Sequence, residues 1–141
     1  MFLSDREKEA LINGLKVPVP KDLLESLKSH DISFVTVKDR EYPALLLDVY
    51  NPPFIIFFRG TLPNENEECV AMVGARRCSA YGKKASLALS SLLAKNDISV
   101  VSGLALGIDG FSHEGALSQG GRTYAFLGCG VDICGYLPTH G

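Results

Sequence analysis

The chain has 141 residues, of which 46% are hydrophobic and 21% charged, and its formal net charge is −2 at pH 7. This composition is that of an ordinary soluble globular protein. No apolar run approaches the roughly 18 residues that predict a membrane-spanning helix, and the N-terminus has no apolar signal core. We therefore expect a cytoplasmic protein without a membrane partner.

The charge is unevenly distributed along the chain. Residues 1–68 hold eight Lys/Arg and twelve Asp/Glu, whereas residues 69–141 hold six and four. Four of those six bases lie in one short segment, at Arg76, Arg77, Lys83 and Lys84. Local fields govern binding more than net charge does, so the acidic total does not exclude a nucleic-acid ligand.

The four cysteines, Cys69, Cys78, Cys129 and Cys134, show neither a CxxC pair nor a zinc-binding spacing with histidine. Cys129 and Cys134 leave open a contact across a turn. Cys69 begins an apolar segment and fits a small buried hydrophobe. The sequence therefore predicts no metal site and no cofactor.

The first forty residues predict a short helical lead segment. A capping box at residues 4–7 opens a first helix that ends near Gly14, and a second helix begins near Pro20. Residues 32–37 are short and β-rich, and residues 54–58 predict another strand. The acidic stretch 61–68 lacks periodicity and predicts a loop.

From Cys69 onward, strand and helix patterns alternate. The pattern predicts strands over 70–73, 98–101 and 123–127, and helices over 81–95 and 108–118, the first of them with an apolar face of Leu89, Leu92 and Leu93. The strands are continuous apolar runs, which is typical of strands covered on both faces. We therefore predict an α/β fold: a Rossmann-like, three-layer parallel sheet in a domain spanning 41–141, after the lead segment 1–40.

Each strand of this predicted sheet ends at a glycine corner, at Gly74, Gly103 and Gly128-Cys129-Gly130. The carboxyl ends of parallel strands meet at one edge of the sheet, where ligands bind. Glycine lets the backbone turn sharply and approach a ligand closely. Backbone N–H groups at such corners favour phosphate, so we predict a phosphate site at this edge.

The first corner supplies the basic groups of that predicted site. Arg76 can contact two phosphate oxygens at once, which lysine cannot do. Ser79 caps the next helix or donates its hydroxyl to phosphate. Lys83 and Lys84 lie in the first helical turn, where a cation opposes the helix dipole unless an anion binds. That both lysines are merely solvated surface residues is the alternative.

The second corner contributes Ser102, Gly103 and Gly107, whose donors can close around a phosphate. Asp109 has three open roles: a structural acid at a helix start, a group that orients Arg76, or an acceptor for a sugar hydroxyl. His113 follows four residues later on the same helix face. Because no nucleophile signature accompanies this Asp–His spacing, packing or hydrogen bonding is the favoured role of His113, and we predict no enzymatic activity. The full dinucleotide fingerprint GxGxxG is absent.

Together these residues resemble the DNA-processing protein A family (DprA, also called Smf) over roughly residues 40–134. The matching motifs, in chain order, are Tyr42-Pro43, Pro52-Pro53, Gly60, Val73-Gly74-Ala75-Arg76, Tyr81-Gly82, the run from Ser102 to Asp109, His113-Glu114-Gly115-Ala116-Leu117, Gly120-Gly121 and Gly128-Cys129-Gly130-Val131-Asp132. The run from Ser102 to Leu117 is highly specific to that family.

The resemblance implies a protein that binds incoming single-stranded DNA during natural transformation, helps to load the RecA recombinase and dimerises, with no established enzymatic step. It implies that Arg76 contacts DNA phosphate and that the loop from Ser102 to Asp109 forms a wall of the same pocket. The lead segment resembles a shortened, SAM-like helical domain. The family pattern continues past Gly141, so we expect a truncated sheet.

A truncated sheet leaves residues 123–127 as an edge strand, which predicts self-association or poor solubility. Tyr81 and Tyr124 are candidates for stacking on bases, although the strand position of Tyr124 favours the core. Two other functions stay open. One is a nucleotide-binding or nucleotide-hydrolysing enzyme of the related lonely-guy type, whose Pro-Gly-Gly-x-Gly-Thr-x-x-Glu motif is absent. The other is an inactive fragment.

Overall fold

The computed structural model describes residues 21–133, so the predicted first helix and Cys134 lie outside the described residues. The chain forms two compact units, Met1–Ser33 and Phe34–Gly141. In the first unit, helix α1 spans Lys21–Ser29, as predicted. After it the chain turns at Asp31, whose φ is +54°, and the Ile32 N–H donates to the Leu27 carbonyl at 2.9 Å. The division into domains at residue 40 stays a prediction.

A two-stranded sheet of β1 (Ser33–Thr36) and β2 (Ile55–Phe58) precedes the parallel sheet. The rings of Phe34 and Phe57 lie 6.1 Å apart across it. Between the strands is a four-residue helix that the sequence did not predict, α2 (Ala44–Leu47). Buried Tyr42 joins the two ends of the connection between these strands, because its hydroxyl donates to the Pro53 carbonyl at 2.7 Å.

The remaining elements alternate, as predicted. They are β3 (Cys69–Ala71), α3 (Ala80–Lys95), β4 (Ser99–Ser102), α4 (Ile108–Leu117) and β5 (Thr123–Ala125). The strands form one parallel sheet in the order β3-β4-β5, with Val100 beside both Val70 and Thr123. The parallel α/β fold class is confirmed, because each strand reaches its neighbour through a helix.

Helices α3 and α4 pack against each other over the central strand β4. The small core consists of Val100 with Ala94 and Ala116 from the two helices, and Met72 and Leu93 pack on it. On the opposite face of the sheet Ala71 is exposed, and Val101 and Tyr124 are half-buried. The strand residues there are therefore less buried than their continuous apolar runs led us to expect.

The buried face of α3 differs from the predicted one. Leu89 and Leu92 are more than half exposed, and the buried residues are Ser86, Ser90 and Ala94. The physical reason is the close approach of α4, since a Cβ on Gly115 would overlap the Ser90 hydroxyl and lie 2.6 Å from the Leu87 carbonyl oxygen. Only small side chains fit such an interface.

The hydroxyls at this helix interface are hydrogen-bonded, which makes their burial tolerable. Ser86 and Ser112 share a hydrogen bond of 2.8 Å across the two helices. Ser90 donates to the Ser86 carbonyl at 2.8 Å, and Ser91 donates to the Gly115 carbonyl at 3.0 Å. Serine rather than leucine thus packs at this interface, and the buried serine hydroxyls are all hydrogen-bonded.

A second polar cluster ties together the amino-terminal ends of the three strands. The Glu67 carboxylate accepts hydrogen bonds from the hydroxyls of Ser99 and Tyr124 and from the Arg122 guanidinium. Burial acts to raise the pKa of Glu67, but the hydrogen bonds and the Arg122 charge outweigh it and hold the pKa below its ordinary value of 4.5. This cluster lies at the amino-terminal ends of the strands, whereas the glycine corners lie at their carboxyl ends.

Candidate phosphate-binding rim

The three glycine corners lie together at the carboxyl ends of β3, β4 and β5, as predicted from a parallel sheet. The Phe126 N–H donates to the Ser102 carbonyl at 2.8 Å, which places the third corner beside the second. A Cβ built on Gly103 would lie 3.8 Å from the Phe126 carbonyl oxygen. We call this edge, formed by residues 73–84, 102–109 and 126–130, the rim.

The first two corners are joined by the carboxylate of Asp109, in the first turn of α4. The Gly74 N–H donates to one carboxylate oxygen at 3.3 Å, and the Gly103 N–H donates to the other at 3.2 Å. Asp109 is only 8% exposed. Of its three open roles, the structure supports the structural acid at a helix start. The two N–H groups predicted to hold a phosphate donate to this internal carboxylate instead.

The glycines of these corners permit contact between protein segments. A Cβ on Gly74 would lie 2.7 Å from the Ile108 side chain. Gly107 has φ +83°, and a Cβ there would overlap the carbonyl oxygens of Ala75 and Arg76. The adjacent Ile108 N–H donates to the Ala75 carbonyl at 3.2 Å. The first corner is thus docked directly on the second.

The hydroxyls of both predicted serines, Ser79 and Ser102, make hydrogen bonds to the protein backbone. Ser102 is 3% exposed and its hydroxyl donates to the Met72 carbonyl at 2.6 Å. This corrects its prediction as a phosphate donor, because the side chain is used inside the sheet. Ser79 is the N-cap of α3 and accepts from the Gly82 N–H at 3.1 Å, which confirms the capping role left open for it.

The four predicted cations are all exposed at the rim: Arg76, Arg77, Lys83 and Lys84. Lys83 and Lys84 are the fourth and fifth residues of α3, and the first turn of this helix contains no acidic residue. The Lys83 ammonium lies 4.5 Å from the centre of the Phe111 ring, a cation–π contact that orients it without neutralising it. The rim therefore concentrates positive charge at a helix N-terminus, where the dipole adds to it.

Of the apolar surface beside these cations, the sequence singled out only Tyr81. Val73, Leu106 and Phe126 are each at least half exposed on the rim, and Tyr81 is 81% exposed at the start of α3. Leu104 has φ +56°, a conformation that costs energy for a residue with a side chain. A leucine in the left-handed region cannot be recognised from sequence pattern alone. Gly128 and Gly130 complete this exposed surface, and a Cβ on Gly128 would meet open space.

His113 connects α4 to β5 from inside the fold. Its Nδ1 lies 2.6 Å from the Thr123 hydroxyl, which itself donates to the Val100 carbonyl at 2.8 Å, so Nδ1 carries the proton and donates. Burial lowers the pKa of His113, and the nearby Asp109 charge only partly opposes this. A neutral, buried imidazole confirms the hydrogen-bonding role predicted for it. Tyr124, tied to Glu67 at the opposite edge, is not placed at the rim.

Within residues 21–133 no cluster of His, Cys, Asp and Glu has the makings of a metal site, and Cys69, Cys78 and Cys129 are free thiols. Over the same residues no helix has the length and apolar character needed to cross a membrane. The site belongs to a class that is common in parallel α/β proteins: a surface at the carboxyl ends of the strands, formed by glycine corners and exposed cations.

The comparisons with known proteins identify the family. A model of the DNA recombination-mediator protein A family matches residues 33–139, and the chain belongs to this family. The chain is 34% identical over 125 residues to the protein Smf of a Synechocystis species, covering 86% of this chain and 31% of that protein.

Two solved structures share the fold. The DNA processing protein A of Streptococcus pneumoniae superposes with a TM-score of 0.66 at 33% identity, over 84% of this chain and 41% of the other. The DNA processing protein A of Helicobacter pylori, described for its single-stranded DNA binding mode, gives 0.60 at 27% identity, over 78% and 48%. The chain thus spans less than half the length of these relatives.

Proposed function

We propose that the rim binds the phosphate backbone of single-stranded DNA without reading its sequence, as a DNA-processing step of transformation. The observation that carries this proposal is the group of four exposed cations around the N-terminus of α3, with no acid in its first turn. A polyanion can bind such a group, because each phosphate contacts a cation and releases counterions. The likeness to a single-stranded DNA-binding relative supports this ligand.

Single strands, rather than duplexes, fit the apolar surface of the rim. Unpaired bases expose their faces, and aromatic side chains stack on them whatever their sequence. Tyr81 is exposed near the start of α3, the helix that also carries Lys83 and Lys84, and Phe126 is exposed at the third corner. Phosphates on the cations and bases on these side chains give a sequence-independent interface.

The test is the salt dependence of binding to a labelled oligothymidylate, measured by fluorescence anisotropy. Four phosphate contacts predict a slope of log K against log salt of about −2.8, and a loss of about fiftyfold in affinity between ~50 and ~200 mM salt. Arg76→Ala should reduce that slope by about 0.7 and weaken all base compositions equally.

The matched control is Lys95→Ala, which removes one exposed cation at the far end of the same helix. Its slope should equal that of the wild type, because Lys95 lies a full helix length from the rim. A wild-type affinity that does not change with salt, or equal slopes for Arg76→Ala and the wild type, contradicts the proposal.

We propose further that the bound strand is passed to the RecA recombinase, and that the protein itself performs no covalent step. The family description, recombination mediation, supports the first part. The second is supported by the use of Ser79 as a cap and Ser102 as an internal donor, so neither hydroxyl is paired with a catalytic base. Faster assembly of RecA on labelled single strands in the presence of the chain is the expected result, and an unchanged rate argues against it.

We also propose that the chain self-associates through β5. The Arg122 carbonyl and the Phe126 N–H bond to β4, so the intervening Thr123 and Ala125 turn their backbone groups to the outer edge. Such an edge pairs readily with another strand. Light scattering should show oligomers, and Ala125→Pro, which removes only an outward N–H, should shift them to monomers. A wild type that is monomeric at every concentration contradicts this part.

A further inference from the structure

The proposed polyanion site has an acid at its centre. Asp109 is buried between the first and second corners, within hydrogen-bond distance of the Gly74 and Gly103 N–H groups. By charge alone a carboxylate at this position repels phosphate. Its presence in the rim therefore requires a geometric reason.

That reason is found in the packing around the carboxylate. A Cβ on Gly103 would lie 2.9 Å from one Asp109 oxygen, so this corner leaves room for the carboxylate only because it is glycine. The start of α4 also favours an acid, since its dipole is positive there. Asp109 thus ties the carboxyl end of β3 to that of β4 and uses the amide donors that would otherwise enclose an anion.

We propose that Asp109 is a positioning residue that determines which phosphate ligand the rim accepts. By occupying the amides of Gly74 and Gly103 from inside, it prevents them from enclosing one terminal phosphate. By joining the two corners, it fixes the loop that carries Arg76 and Arg77. The rim is then restricted to an extended polyanion that binds through its exposed cations. This inference rests on the proposed function.

Asp109→Asn separates positioning from charge, because the two effects have opposite signs. An asparagine oxygen accepts one N–H, but its amide group is a donor and cannot accept the other, so one corner is released. Removal of a negative charge by itself should tighten DNA binding. Loss of positioning should weaken it by about tenfold, the equivalent of one charge-assisted hydrogen bond, with an unchanged salt slope because the cations remain.

Gly103→Ala is the second variant, and it keeps the charge. Its Cβ displaces the carboxylate, so it should weaken oligothymidylate binding as Asp109→Asn does. Glu114→Gln is the matched control, since it removes an exposed acid from the same helix and should leave affinity unchanged or slightly raised. All variants are measured below their melting temperatures, with folding checked by circular dichroism.

The closing arm uses adenosine monophosphate as a competitor of the labelled oligothymidylate on the wild type. No displacement is the expected result. Displacement by the monophosphate, or oligothymidylate affinities of Asp109→Asn and Gly103→Ala equal to or above that of the wild type, overturns the role of Asp109. A wild type that does not bind the oligothymidylate overturns the proposed function itself, so the two failures are distinguishable.

Discussion

Gly107 provides the sharpest stability test, because two different explanations of the rim glycines disagree about it. The sequence suggested that these glycines give a ligand access to the backbone. In the structure Gly107 has φ +83°, and a Cβ there would overlap the carbonyl oxygens of Ala75 and Arg76. Gly107→Ala should therefore destabilise the fold without any ligand.

The magnitude follows from two costs. An alanine in the left-handed region costs about 1–2 kcal/mol. Overpacking typically costs about 1–3 kcal/mol, and here the overlapped atoms are backbone, which no change of rotamer can move. The free energy of unfolding should fall by about 2–5 kcal/mol, which for a unit of this size lowers the melting temperature by ~8 °C or more.

The matched control is Gly128→Ala at the third corner. A Cβ there would meet nothing within 4 Å, and its φ is not positive. Its free energy of unfolding should stay within about 0.5 kcal/mol of the wild type. Urea titration followed by circular dichroism measures both variants. Equal stability of Gly107→Ala and Gly128→Ala would refute the docking of the first corner on the second.

Three further predictions follow from the packing, the polar cluster and the exposed surface. Gly115→Ala should lose about 1–2 kcal/mol in urea unfolding despite its gain in helix propensity, whereas Gly110→Ala, whose Cβ would lie 3.3 Å from the Ala105 carbonyl oxygen, should lose less. Glu67→Gln should lower the free energy of unfolding by about 1–3 kcal/mol at pH 7. Because the pKa of Glu67 is lowered in the folded protein, the difference in stability between variant and wild type should shrink as the pH falls below the ordinary value of 4.5. A difference that does not change with pH argues against the cluster. Tyr81→Ala should weaken oligothymidylate binding by about 1–3 kcal/mol while Tyr81→Phe keeps it, and equal losses exclude stacking.

Much of the architecture could be predicted from the sequence because it depends on local pattern. Continuous apolar runs located β3, β4 and β5 to within two residues, and the alternation with helices predicted a parallel sheet. A parallel sheet in turn places Gly74, Gly103 and Gly128 at one edge. The exposed cations could be predicted as well, because a lysine in the first turn of a helix opposes the dipole and indicates an external anion.

What could not be predicted depends on distances between segments far apart in the chain. Leu89 and Leu92 have the helical spacing of a buried face, but the close approach of α4 admits only small side chains, so Ser86 and Ser90 are buried instead. Gly115 permits that close approach, and its role cannot be predicted from the spacing of apolar residues. The contact of Asp109 with Gly74 joins residues 35 positions apart and is equally invisible to pattern.

The placement of Asp109 also shows that glycine corners of the same sequence pattern can be used in two ways. Corners of this type can enclose a terminal phosphate with their amides, or they can dock on each other around an internal acid. Here the amides of Gly74 and Gly103 are already used, and the binding capacity that remains is the set of exposed cations. Contacts between such cations and phosphates add along a strand, weaken with salt and carry no base information. We therefore expect the proposed site to hold any single strand and to select for the length of the polyanion rather than for the identity of a nucleotide.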